Sequence, residues 1–512
     1  VSEISDVSTL LNRYYQLPPV MAKSYSYLNG TPRLFEFKIS EHPISEIPQE
    51  EIDGFINLIF NEKLSLNEVK KHSANEEEAI IYGFYQNSKT IKNLLFEIEK
   101  TRKVIEENDH DKAAVKELNN ILFHQQNLLN HYILNNLYSK KSDLVWIYNG
   151  AEVKINSKKN FNKLLSQICL EVYPKTPTFK NELVNKNKIS SSIHTAKKNY
   201  LRALVDSWNK PDLGFPGDKF PPEKTIYLTL LKEQGISLYA DEINFTTQVS
   251  NKSSFKHLWK YSNDFLNSAK KSKRKISEFS EPLTRKPFKL KQGLIDFWIP
   301  SFLFIKRDDF ALFSENGYIP YITDEVLELI IKYPEDYEIK TFDIEGVKLD
   351  IFNSYRVFLN QNSKQKLDNQ TFIETIKPFL TFHKGLSEYS KNTSRLKKET
   401  LAIRTAIANS KDPEKSFFED FPIALGFNID GLQKSKEKLQ SYINKLQDAI
   451  RELRTSYDSL LNRFEDFILE EYIGEKLEFE DYKAKLQSRF KKLKKHLCLP
   501  HQKTFIQRLD SQ

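Results

Sequence analysis

A run of regularly spaced apolar residues near the carboxyl end places the strongest constraint on the fold. The spacing alternates between four and three residues over four heptads. The run comprises Leu439, Ile443, Leu446, Ile450, Leu453, Tyr457, Leu460, Phe464 and Phe467. A long helix keeps such residues in one seam, and that seam must face another helix. The pattern predicts a coiled-coil helical region at 431–512 that mediates assembly, and it leaves open whether the partner helix belongs to the same chain.

Two further amphipathic runs lie in the amino-terminal third of the chain. They read "IKNLLFEIEKTRKVIEEN" and "AAVKELNNILFHQQNLLNHYILNNLY", and the polar segment "NDHDK" at 108–112 separates them. Apolar residues recur in both at helical spacing, which predicts an antiparallel helical hairpin. We expect a helical hairpin domain over residues 51–140. Residues 1–50 then form an N-terminal joining segment with one strand-like stretch at Arg33–Ile39.

Two Asn-Gly dipeptides, Asn149-Gly150 and Asn316-Gly317, are each flanked by alternating apolar residues. Asn-Gly favours the tight turn of a β-hairpin because both turn residues need positive φ. The first hairpin is expected within 144–155, and the second has strands near Phe310–Phe313 and Tyr318–Ile322. The second belongs to an α+β middle domain at 225–345, and a helical connector follows at 346–430. The predicted fold is mainly α with small β-hairpins (α+β), in several domains.

The segment from Thr178 to Trp208 predicts a helix-turn-helix within a winged-helix-like domain at 141–224. Its second helix has a stripe for burial, formed by Ile193, Ala196, Tyr200, Leu204 and Trp208. The opposite face carries Ser191, His194, Thr195, Lys198, Asn199 and Arg202. These residue types contact phosphates or base edges from a helix in the major groove. The first Asn-Gly hairpin would serve as the wing. The alternative is a packing hairpin of helices whose outward face is merely solvated.

A second basic feature starts at residue 270. Five cations occur within six residues: Lys270, Lys271, Lys273, Arg274 and Lys275. Such a loop suits phosphate binding that weakens as salt rises. A solubilising charged linker is the alternative interpretation. The net charge of +8 permits an acidic partner without requiring one.

Motifs for catalysis are scarce in this sequence. It lacks the patterns GxxxxGK[ST], GxGxxG after a strand, and HExxH, and no other residues complete a metal site with His124 and His131. A metal-dependent nuclease using Asp309 with Glu338 and Lys340 is a less favoured alternative. We therefore predict no catalytic residue, metal or cofactor within the chain. Two distant cysteines indicate a reduced, cytoplasmic protein, and no apolar run is long enough for a membrane span.

Several stretches together resemble a known family. They are 172–204 ("VYPKTPTFKNELVNKNKISSSIHTAKKNYLRAL"), 220–236 ("FPPEKTIYLTLLKEQGI") and 283–339, which begins "LTRKPFKLKQG". These resemble the region behind the ATPase module in the large P-loop ATPases of BREX-type and phage-growth-limitation anti-phage defence systems. Residues 13–39 resemble the segment that joins the two parts in that family. The family usually has glycine after the Pro-Phe pair, where this chain has Lys289.

The resemblance implies a bacterial defence protein that acts on DNA with other defence-system subunits, and it allows a homo-oligomer. It also implies that the nucleotide-binding module, with its ATP and Mg²⁺, lies upstream of Val1. A protein–protein scaffold without nucleic-acid binding remains the main alternative.

Overall fold

The computed structural model describes residues 6–15, 17–238, 248–319, 321–341, 347–358, 369–410 and 412–511. The chain divides into two compact units. The first comprises Val1–Glu315 and Tyr321–Thr341, and the second comprises Asn316–Pro320 and Phe342–Gln512. This division lies beside the predicted boundary at 345. The predicted boundaries at 50, 140 and 224 all lie inside the first unit.

Twelve helices lie in the described part of the first unit. They are α1 Val7–Tyr14, α2 Lys23–Asn29, α3 Leu66–Ala74, α4 Lys89–Glu107, α5 Lys112–Tyr138, α6 Lys158–Val172, α7 Ser191–Asp206, α8 Pro222–Leu230, α9 Lys256–Ser268, α10 Ile276–Ser280, α11 Gln292–Ile305 and α12 Asp324–Lys332. Short 3₁₀ turns lie at Pro211–Gly214, Lys232–Gln234 and Glu281–Thr284. The strands in the described residues are β1 Val20–Met21, β2 Leu34–Ser40, β3 Ile52–Ile59, β4 Ile80–Tyr85, β5 Leu144–Tyr148, β6 Ala151–Val153, β7 Arg274–Lys275, β8 Ala311–Ser314, β9 Gly317–Ile319 and β10 Glu338–Lys340.

Strands β1 to β6 form one sheet in sequential order. The three strands β2, β3 and β4 run parallel, and the outer pairings are antiparallel. Ile56 in β3 lies between Phe37 of β2 and Ile81 of β4. The expected helical domain over 51–140 is therefore wrong for its first part, where β3, α3 and β4 form the centre of the sheet. Strands buried on both faces are apolar throughout, so they lack the alternation that identifies a strand in sequence.

Helices cover both faces of this sheet. On one face, Val69 of α3 packs with Phe55 and Ile59 of β3. On the other face, Leu58 belongs to a larger core with residues of α1, α2, α4, α5 and α6. Adjacent residues of a strand point to opposite faces, so α3 and α4 lie on opposite sides. The predicted helical hairpin is present as α4 and α5, and Asp111 caps α5 by accepting from Ala113 N at 3.0 Å.

A small second sheet contains β10 between β7 and β8, with both pairings antiparallel. The hairpin predicted at Asn316-Gly317 is confirmed, with strands β8 and β9, and Gly317 has φ 96°. Helix α11 is buried on nearly all sides, and Trp298 is its largest fully buried side chain. Within the unit, the Trp298 ring packs against the rings of Phe255 and Phe302.

The second unit is helical apart from β9 in the described residues. Its helices are α13 Val347–Phe358, α14 Asn369–Gly385, α15 Glu388–Asn392, α16 Lys398–Ala408, α17 Pro413–Lys415, α18 Phe421–Ala424, α19 Ile429–Lys434, α20 Lys436–Phe467, α21 Phe479–Lys491 and α22 Pro500–Ser511. π-helical turns lie at Ser416–Asp420 and Ile468–Ile473, and a 3₁₀ turn at Lys495–Leu497. Within its core the Tyr355 hydroxyl donates to Phe417 O at 2.7 Å. Residues 346, 359–368 and 411 of the predicted connector lie outside the described residues. The chain as described is mainly helical with a mixed sheet, which is consistent with the predicted α+β class. The six-stranded sheet with its parallel centre is larger than the small β-hairpins that the sequence predicted.

Candidate functional site

Helix α7 is the element on which the predicted nucleic-acid site depends. Four residues of its predicted stripe, Ile193, Ala196, Tyr200 and Leu204, are buried. The fifth, Trp208, is half-buried and lies beyond the end of α7. The helix packs on α8, α11 and α12. The Tyr200 hydroxyl and Ser301 Oγ of α11 form a hydrogen bond of 2.7 Å, and burial raises the pKa of this tyrosine. The packing determines which face of α7 remains outside.

The outward face of α7 carries the predicted contact residues. Ser191, His194, Thr195, Lys198 and Arg202 are all exposed. Side chains on one face of a helix share a direction, so these hydroxyl, imidazole and cationic groups form one surface. We call these five residues the α7 face. Their accessibility is what nucleic-acid binding requires, and the binding itself stays a prediction.

Acidic residues of α12 lie opposite the two cations of the α7 face. Lys198 Nζ is 4.0 Å from Glu328, and Arg202 Nε is 3.5 Å from Asp324. The Lys198 and Arg202 side chains are still 64% and 65% exposed. Exposed ion pairs contribute about 0–1 kcal/mol, so a stronger anionic partner can replace these carboxylates.

The first helix of the predicted helix-turn-helix is absent. Residues 178–190 form turns, and α7 begins only at Ser191. Asn185 holds this segment in place, because its Nδ2 donates to Gly30 O at 2.7 Å and to Phe179 O at 3.0 Å. Asn side chains that bond to main-chain groups compete with helix formation. Residues 178–190 therefore pack against the rest of the unit. This agrees with the alternative interpretation, which treated the predicted helix-turn-helix as a packing hairpin.

The hairpin that was expected to act as a wing belongs to the six-stranded sheet. Strands β5 and β6 turn at Asn149-Gly150 as predicted, and β5 pairs with β4. Gly150 lies against α3, where an added Cβ would come within 2.9 Å of the Ala74 Cβ. The hairpin is thus an edge of the sheet that packs on α3.

The predicted basic loop is divided between a turn and a strand. Lys270 and Lys271 are exposed in the turn after α9. Lys273 Nζ lies 3.8 Å from the centre of the Phe313 ring, and Lys275 Nζ pairs with Glu335 at 3.1 Å. Arg274 forms an ion pair with Glu278. Of the five cations, three are therefore held by structural contacts, which the charge pattern alone does not reveal.

The heptad seam finds its partners inside the second unit. Ile443, Leu446, Ile450 and Leu453 are buried, whereas Leu439 and Leu460 are half-buried. Helix α20 packs on α13, α15, α16 and α19 of the same unit. The first five of the nine seam residues, Leu439 to Leu453, therefore belong to an intramolecular core. This answers the question that the spacing left open for that part of the helix.

The residues of the nuclease alternative do not converge on a metal site. Asp309 pairs with Lys306 at 3.2 Å, while Glu338 and Lys340 lie in β10. His124 and His131 are exposed on α5. Within the described ranges, no group of three or more His, Cys, Asp or Glu side chains is placed to hold a metal ion.

A buried cluster of charged residues was not anticipated from the sequence. Asp53 is fully buried and accepts from Arg33 Nη1 at 2.7 Å and from Lys291 Nζ at 2.8 Å. Arg33 also donates to Lys289 O at 2.7 Å. Burial lowers the pKa of Lys291, and the adjacent Asp53 opposes that shift. An aspartate in the apolar run "IDGFINLIF" was the available signal, because a buried charge needs a partner.

Comparisons with models of protein families, with curated proteins and with solved structures found no match to this chain. The resemblance to defence ATPases thus remains a hypothesis. Among the described residues, no helix has both the length and the apolar character that crossing a lipid bilayer requires.

Proposed function

We propose that this chain is a non-catalytic, DNA-binding and assembly part of a cytoplasmic bacterial anti-phage defence ATPase. The observation that supports binding is the α7 face, where hydroxyl, imidazole and cationic groups are exposed together. Lys188, immediately before α7, adds another exposed cation. Residues of these types contact phosphates and base edges from a helix. The contact is assigned to α7 alone, rather than to a winged helix, because the first helix and the wing are absent from this site.

The family assignment in this proposal rests on the resemblance and on one backbone angle. Lys289 occupies the position where the family usually has glycine, and it has φ 45°. Glycine adopts this left-handed conformation without steric cost, whereas other residues rarely do. The backbone therefore has the conformation that a glycine at this position would favour.

The experiment that tests binding is fluorescence anisotropy of the full chain with a duplex of about 30 base pairs, titrated with salt. Changing Lys198 and Arg202 together to alanine should weaken binding about equally for all sequences and should reduce the salt dependence, because phosphate contacts are lost. The matched control changes Lys112 and Lys116 of α5, which have the same spacing and charge and are exposed. Equal affinity of the α7 variant and the control variant would refute the assignment.

A protein–protein scaffold is the second candidate, and one observation favours it. The carboxyl-terminal part of α20 exposes four apolar side chains: Tyr457 by 43%, Leu461 by 46%, Phe464 by 53% and Phe467 by 50%. Adjacent exposed apolar groups are typical of interaction surfaces. A scaffold protein should not bind the duplex at about 150 mM salt. A protein with several phosphate contacts still binds at that concentration, and its binding depends on salt.

A further inference from the structure

A cavity of about 480 Å³ lies where the three parallel strands end. Parallel strands place their carboxyl ends at the same edge, so the residues after β2, β3 and β4 meet there. The polar side chains that line the cavity come from these segments and from the helices that follow them. They include His42 after β2, Glu62 and Lys63 after β3, Glu68 of α3 and Lys92 of α4.

The cavity lies between two chain segments that leave the sheet in opposite directions. After β3 the chain passes to α3 on one face, and after β4 it passes to α4 on the other face. Adjacent strands whose connections diverge in this way leave a crevice at their carboxyl ends. In open parallel sheets, ligands bind outside the carboxyl ends of the strands. The cavity lies at the carboxyl ends of β2, β3 and β4, in a sheet whose strand order is sequential and does not reverse.

An internal anion already occupies the cationic side of the cavity. The Glu62 carboxylate accepts a hydrogen bond from Lys92 Nζ at 2.9 Å and another from the main-chain N–H of Ser88. Both interactions lower the pKa of Glu62. The Glu62 and Lys92 side chains are 47% and 33% exposed, so their pairing is open to exchange with solvent anions.

We propose that this cavity binds a small sugar phosphate whose phosphate group displaces the Glu62 carboxylate. A phosphate monoester carries a charge of about −1.5 to −2 and three acceptor oxygens. It can accept from Lys92 and from the Ser88 amide, which now hold Glu62, and it has a third oxygen where a carboxylate has two. Lys63 adds another cation to the lining of the same cavity. Glu41 and Glu68 also line the cavity, and Glu68 Oε2 already accepts from the N–H and the hydroxyl of Ser65 at the start of α3. The two carboxylates repel a second phosphate, which favours a neutral polyol as the rest of the ligand.

Isothermal titration calorimetry tests this proposal. The full chain is titrated with ribose 5-phosphate, and ribose is the reference ligand. Glu62→Gln should bind ribose 5-phosphate about tenfold more tightly than the unaltered chain, because the competing charge is removed. Adding Lys92→Met to Glu62→Gln should weaken binding about tenfold or more, since a charge-assisted hydrogen bond is lost. Lys103→Met is the matched control, because it removes an exposed lysine from α4 away from the cavity.

Three results would show that the proposal is wrong. The first is that Glu62→Gln binds ribose 5-phosphate no more tightly than the unaltered chain. The second is that neither protein binds it at about 10 mM ligand, and the third is that ribose binds as well as ribose 5-phosphate. The proposal is also wrong if Lys103→Met weakens binding as much as Lys92→Met does. Thermal melting shows whether each variant is folded, and Lys63→Met replaces Lys92→Met if the latter is not. None of these changes touches the α7 face, so DNA binding is tested independently.

Discussion

Lys289 is a buried lysine in a backbone conformation that lysine rarely adopts. Its side chain is 5% exposed, its φ is 45°, and its Nζ donates to Pro48 O at 2.8 Å. Burial lowers the pKa of Lys289 to about 8, with smaller contributions from Lys291 and Arg33, while Asp53 opposes the shift. Burial therefore makes the charged form less favourable inside the protein than it is in water.

The lowered pKa of Lys289 predicts that the folded protein becomes more stable as the pH rises into mild alkali. Between pH 8 and the ordinary lysine pKa of 10.5, the unfolded chain holds a proton on Lys289 that the folded chain has released. Stability rises with pH wherever the unfolded state binds more protons. Relative to Lys289→Met, the unaltered chain should gain about 1.5 kcal/mol between pH 8 and 9.5. Urea unfolding of both proteins at the two pH values measures the difference, and parallel pH profiles would contradict the prediction.

The Asp53 carboxylate forms ion pairs with two buried cations. Loss of its charge should therefore lower the free energy of unfolding even when its size is kept. Asp53→Asn keeps the shape but leaves Arg33 and Lys291 without their anion. Removing one partner of a buried ion pair costs about 3–5 kcal/mol. Asp109→Asn is the control, because that side chain is 87% exposed. Chemical denaturation should show a large loss for the first variant and almost none for the second; equal midpoints would disprove the role assigned to Asp53.

At the scale of elements, α12 controls how much charge α7 presents. Asp324 and Glu328 pair with Arg202 and Lys198. If the α7 face binds DNA, changing Asp324 to Asn and Glu328 to Gln should tighten binding, by roughly tenfold at low salt, because two competing anions are removed. Changing Glu106 and Glu107 at the end of α4 to Gln alters the net charge equally and should have little effect. Equal gains in the two variants would point to net charge alone rather than to this face.

The sequence could predict those elements whose structure is determined by a local residue pattern. The α4–α5 hairpin, the turns at the two Asn-Gly pairs, and the buried stripe of α7 all follow from periodicity and turn chemistry. Residues 178–190 could not be predicted in this way, because Asn185 bonds to Gly30 O from 155 positions away. The same holds for Lys275, whose partner Glu335 lies 60 positions away. Charge patterns show which residues are cationic, and only the fold shows which cations remain available.

At the scale of the whole molecule, the heptad seam contributes to stability inside the second unit. Leu446 is fully buried on α20. Leu446→Ala should destabilise that unit by about 2–5 kcal/mol through lost burial and a cavity. Leu461→Ala on the same helix, where the side chain is 46% exposed, should change stability by less than about 0.5 kcal/mol.

Sedimentation velocity on the same two variants separates an intramolecular seam from an intermolecular one. The molecular mass of the folded Leu446→Ala protein should equal that of the unaltered chain. A fall in mass for this variant would mean that Leu446 supports assembly between copies.

The bond between Asp53 and Lys291 joins positions 238 residues apart. A ribosome that adds about 5–20 residues per second needs roughly 10–50 s to travel that distance. During this interval strands β2 to β4 have emerged, but the lysine that completes the pairing of Asp53 has not been synthesised. The pairing of Asp53 is therefore completed only after all six strands of the sheet have been synthesised. A chain that is truncated before residue 291 keeps Asp53 with Arg33 but without Lys291.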